Sequence, residues 1–71
     1  MSYLVIIINI QSGDIVDIIK TDFNYVNSVK DSINTKKEMY SPKLQKTYYP
    51  LSIEKSKTKD NVYLLFTTLK G

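Results

Sequence analysis

Between Lys36 and Lys59 the chain gathers Lys36, Lys37, Lys43, Lys46, Lys55, Lys57 and Lys59, with Tyr40, Tyr48 and Tyr49 set among them. Ammonium groups neutralise phosphates and carboxylates, and tyrosine rings offer faces on which bases stack. The segment therefore reads as a surface for an anionic partner. A nucleic acid or nucleotide suits it in one reading, and an acidic host protein or other acidic macromolecule in another. In a third reading the lysines form an ordinary solvated surface and the tyrosines cap the core. No nucleic-acid motif of defined spacing accompanies the lysines. Lys55, Lys57 and Lys59 alternate, so a fully extended chain would project them to one side. The same alternation also serves to protect an edge strand from unwanted pairing.

Other chemistry is limited by what the sequence lacks. It contains no cysteine, histidine, arginine, tryptophan or alanine. Without Cys and His, the usual zinc, haem and iron–sulfur ligands are missing, as are triads built on Ser–His or Cys–His pairs. Without Arg there is no planar fork for bidentate phosphate recognition, which leaves lysine as a point charge. Asp14, Asp17 and Asp22 lack the alternating ligands and terminal Glu of a calcium loop. Turn and cap roles explain Asp14 and Asp22, while Asp17 is expected on the solvent face of a strand. Gly13 stands without the further glycines and lysine of a phosphate loop, so it reads as a turn residue. No catalytic residue, metal site or cofactor is expected, and the chain reads as a binding protein and not an enzyme.

Charge divides unevenly along the chain. Residues 1–34 carry two lysines against four aspartates, and residues 35–71 carry eight lysines against three carboxylates. An acidic partner would be drawn to the second half. The apolar run Leu4-Val5-Ile6-Ile7-Ile8 is far shorter than the ~20 residues a bilayer span needs. No basic segment or small-residue cleavage site flanks it, so an intracellular protein without membrane contact is expected. Small size, missing catalytic groups and a composition suggestive of AT-rich coding point towards a viral or mobile-element accessory or inhibitor protein.

The elements that must position these residues follow from periodicity. Tyr3 to Ile10 is β-branched and apolar throughout, as in a strand buried on both faces. Ser12-Gly13 marks a turn, and Asp14 to Lys20 reads as a second strand pairing back, although Ile15, Ile18 and Ile19 also suit a helix. Asp22 or Thr21 can cap a helix in which Phe23, Val26, Val29 and Ile33 line one face. Lys36 and Lys37 fall in its last turn, and residues 38–46 read as loop. Tyr49, Leu51 and Ile53 alternate, with Pro50 marking an edge strand, and Val62 to Leu69 suits a central one.

The expected fold is a single α+β domain over residues 1–71, β-β-α-β-β, with a four-stranded, mainly antiparallel sheet and one helix on one face. The anticipated core is Ile6, Ile8, Val26, Val29, Ile33 and Leu64, with Leu4 and Ile10 also turned towards the helix. Val5, Ile7, Tyr63 and Leu65 would then lie on the uncovered face. A chain of this size buries only about 60% of its unfolded surface, so that face is expected to self-associate, most simply as a homodimer.

Overall fold

Asp22 starts the helix by accepting the Tyr25 N–H on its side chain at 3.2 Å, with extended backbone at the cap itself. The computed structural model describes residues 2–41 and 44–70. Its element order is β1 (Tyr3–Asn9), β2 (Ile15–Thr21), α1 (Phe23–Thr35), β3 (Met39–Ser41), β4 (Lys46–Lys55) and β5 (Val62–Lys70). The helix ends in a left-handed residue, Lys36 (φ 57°), whose N–H reaches the Ile33 carbonyl while that of Lys37 reaches Ser32. Those two bonds satisfy carbonyls that the helix end would leave open. Lys36 and Lys37 are therefore cap residues beyond the last turn.

The sheet order is β2-β1-β5-β4-β3. It has five strands and not four, and its central pair, β1 with β5, is parallel. The other three pairings are antiparallel, so the sheet is mixed. The extra strand, β3, lies in the stretch read as loop and pairs with Lys46–Tyr48. Three residues are too few to show a period, but Met39 and Ser41 do turn inward while Tyr40 stays exposed. The β1–β2 turn uses Gly13 at φ 78° and closes through the Asn9 N–H to the Asp14 carbonyl at 2.9 Å.

The expected faces of the sheet are inverted. Val5, Ile7 and Leu65 are buried beneath α1 with Val26 and Val29, while Tyr63 packs partly buried against them. Leu4, Ile6, Ile8 and Leu64 lie on the other side, where no described element crosses them. Parity is the physical reason. A strand apolar on both faces does not say which face meets the helix, and one step flips every side chain. Pairing of Val5 with Tyr63 and of Ile7 with Leu65 keeps those four on a common face, as the sequence grouped them. Val5, Ile7, Tyr63 and Leu65 are thus core residues and not a self-association surface.

A bulge at Val16 has a similar effect on β2. Without it Ile15, Asp17 and Ile19 would share one face. The register jumps between Ile7 and Ile8, so that Ile15 sits opposite Ile8 but Asp17 opposite Ile7. The bulge turns Ile15 to the uncovered side, whereas Asp17 follows its partner Ile7 to the helix side and is only 8% exposed, against the expectation of a solvent-facing residue. Its carboxylate accepts the Ile18 N–H at 2.8 Å.

Candidate functional site

The Lys/Tyr segment does not form one surface. Strand β4 runs from Lys46 to Lys55, a span of about 30 Å at the usual rise per residue, and separates its lysines into two groups. Lys57 and Lys59 occupy the β4–β5 turn, where the Ser56 hydroxyl accepts the N–H groups of Thr58 and Lys59 at 3.3 and 3.2 Å. The extended stripe expected of Lys55, Lys57 and Lys59 therefore stops at Lys55. Lys46 begins β4 at the other end and is exposed. Lys43 lies outside the described residues.

The tyrosines divide as well. Tyr48 is 2% exposed and offers no stacking face. Its hydroxyl shares a 3.0 Å hydrogen bond with that of Tyr25. Burial, then that bond, then the nearby charge of Asp17 push its pKa well above the ordinary tyrosine value, so it keeps its proton at any physiological pH. Tyr40 is exposed on β3. It joins Tyr25, Tyr48, Ser41, Asp17, Ile18 and Ile19 around a cavity of about 320 Å³. Strands β2 and β3 are the two ends of the sheet order, and both line that cavity, so the sheet curls into a half-barrel.

Lys36, Lys37 and Tyr49 do come together. With Ile33, Pro50, Leu51 and Thr68 they line a cavity of about 450 Å³ where the end of α1 passes β4. A second cavity of about 340 Å³ continues along the same strand, lined by Lys30, Ile33, Asn34, Leu51, Ser52 and Ile53. Ile33 and Leu51 belong to both, so the two form one groove between α1 and β4. A bulge between Pro50 and Ser52 opens it, because Leu51 has no partner on β5 and is 46% exposed. The groove has an apolar floor and an ammonium-bearing rim, and among the described residues no carboxylate lines it. Sequence reasoning found Lys36, Lys37 and Tyr49 but missed Ile33, which read as core, and Leu51, which read as part of a half-buried edge strand.

The other candidate is the uncovered sheet face. Across β2, β1 and β5 it carries Ile15, Ile18, Leu4, Ile6, Ile8, Leu64 and Phe66, together with the buried Val62 opposite Leu4. Ile15, Ile18 and Leu4 are 59%, 51% and 40% exposed. Lys20 closes this grid beside Leu4 on β2, and Glu54 closes it beside Leu64 on β4. An exposed apolar area of this kind marks a contact surface. Among the described residues no group of three or more carboxylates gathers as a metal site would require, and no helix is long and apolar enough to cross a membrane.

The chain matches no protein-family model, no curated protein and no solved structure.

Proposed function

We propose that the protein is a non-enzymatic binding protein that works by contact with another macromolecule and self-associates through its uncovered sheet face. The supporting observation is that one helix serves a sheet that is apolar on both sides, leaving Leu4, Ile15 and Ile18 exposed. A second copy is the occupant that fits best. Lys20 at the β2 edge and Glu54 on the β4 side bracket the apolar rows with opposite charges. A two-fold axis through such a patch sets the positive edge of one copy against the negative edge of the other. Apolar burial then supplies the affinity and the charges the register.

Light scattering behind a sizing column at micromolar concentration tests this reading. The parent chain is expected to run as a dimer that persists in high salt, and Ile15→Ser with Ile18→Ser to run as a folded monomer. A parent chain that elutes as a clean monomer overturns the self-association. Capture from cells of the source organism, followed by salt washes, separates apolar protein contacts from phosphate-driven ones, which weaken steeply with ionic strength.

A further inference from the structure

The outer edge of β4 is open where the basic groove runs. Strand β3 covers that edge only over Lys46–Tyr48, and no other described strand pairs with it from Tyr49 onward. The direction of its backbone groups follows from the ladder on the other side. The Ser56 N–H bonds the Val62 carbonyl at 2.8 Å, which makes that pair a hydrogen-bonded one. Bonded and non-bonded pairs alternate in an antiparallel ladder. Glu54 opposite Leu64 is then bonded, while Ile53 opposite Leu65 and Lys55 opposite Tyr63 turn their N–H and C=O groups away from β5. Those groups face the open edge.

We infer that this edge receives an extended acidic segment of a partner protein, added as a further strand beside Ile53 and Lys55, with its carboxylates at Lys36 and Lys37. The inference rests on the reading of the chain as a binding protein and names the chemistry of its partner. Main-chain bonds to the edge give such a complex its affinity, and side-chain pockets give it selectivity. Leu51 and Ile33 supply the apolar pocket at the bulge. Lys36 and Lys37 stand at one end of the groove and Lys30 along its wall, so charge favours an acidic segment. A peptide fits better than a nucleic acid here because Tyr49 is the only aromatic residue among the described residues that line the groove.

The probe is a fluorescently labelled synthetic peptide of alternating valine and threonine flanked on both sides by glutamates, titrated with the full chain. A control peptide of equal charge carries prolines in place of the threonines and so loses alternate N–H groups. The parent peptide is expected to bind, and the proline peptide about tenfold more weakly or worse. Lys36→Glu with Lys37→Glu, and separately Lys55→Pro, are each expected to lower affinity by about tenfold or more. Lys55 is exposed and its N–H lies outside the β4–β5 ladder, so proline there leaves that ladder intact. Circular dichroism and the elution volume confirm the fold of each variant. Equal binding of the two peptides overturns the inference, since charge alone would then suffice. Tighter binding of a single-stranded oligothymidylate, lost in the double lysine variant, overturns it in favour of nucleic acid. Absence of peptide binding also overturns it. Dimerisation that depends on Ile15 and Ile18 would leave the broader reading standing in each of these cases.

Discussion

Tyr25 on α1 and Tyr48 on β4 meet hydroxyl to hydroxyl at 3.0 Å, tying the helix to the sheet by a polar bond at the edge of the apolar core. Because Tyr48 is buried, the folded chain keeps its proton at pH values where the unfolded chain has released it. Unfolding then releases a proton, and stability falls as pH rises above about 10. The slope from this one group is at most about 1.4 kcal/mol per pH unit. Urea unfolding followed by circular dichroism from pH 8 to 11 should show a shallower alkaline loss for Tyr48→Phe than for the parent. At neutral pH the same variant should lose about 1 kcal/mol, because the half-buried Tyr25 hydroxyl forfeits its partner.

The inverted faces of β1 can be tested by two neighbouring residues. Ile7 is 1% exposed and Ile6 is half-buried on the uncovered side. Ile7→Ala should cost about 2–5 kcal/mol, enough to unfold a domain of this size. Ile6→Ala should cost about 1 kcal/mol when measured in protein dilute enough to be monomeric. Equal losses in the two denaturation curves would contradict the packing described.

The two ends of α1 respond differently to substitution. Asp22→Ala removes the acceptor of the Tyr25 N–H and should lower stability by about 1 kcal/mol. Lys36→Gly should raise it by about 0.5–1 kcal/mol, because Lys36 holds a left-handed conformation that glycine adopts without steric cost. Thermal melts that shift in opposite directions are the expected outcome. The stabilised Lys36→Gly variant should also bind the acidic peptide more weakly, having lost one ammonium from the groove.

Lys57 and Lys59 stand in an exposed turn and do not line the groove. Replacing both with Gln should leave stability within about 0.5 kcal/mol of the parent. Peptide affinity should fall less than in the Lys36→Glu, Lys37→Glu pair, because these two lysines sit in the turn beyond Lys55 and do not line the groove. Fluorescence titration of that variant beside the Lys36→Glu, Lys37→Glu pair separates the groove from general charge.

How much of this could be read in the sequence depended on periodicity. Val26, Val29 and Ile33 sit at helical spacing behind a capping Asp22, and the helix lies where they place it. The order of the two hairpins around it was legible for the same reason. The orientation of β1 was not, since Leu4 to Ile8 is apolar at every step and only pairing with β5 fixes its parity. Asp17 was misplaced for the same reason, since it pairs with Ile7 and follows that strand's parity. Tyr48 and Tyr49 look alike in the sequence, yet one is buried and the other lines the groove, a difference of a single step along β4. The groove itself joins Lys36 to Leu51 across a helix–strand contact, which no local pattern announces.

Thr67 is fully buried and donates its hydroxyl to the Ile8 carbonyl at 3.2 Å, joining positions 59 residues apart at the centre of the sheet. The ribosome delivers β1 long before β5, and at ordinary elongation speed the interval is on the order of several seconds. During it β1 and β2 pair as a hairpin with one open flank, and Leu65 is still missing from the cluster that buries Val5 and Ile7 beneath α1. Local contacts cannot relieve this, because the missing neighbour is the most distant in the chain, and closing so long a loop makes folding slow. Once β1 has left the ribosome, and until β5 follows, the nascent chain thus presents an unpaired, β-branched strand edge. Its yield in the cell will depend on how well chaperones or codon pacing guard that edge until the final strand arrives.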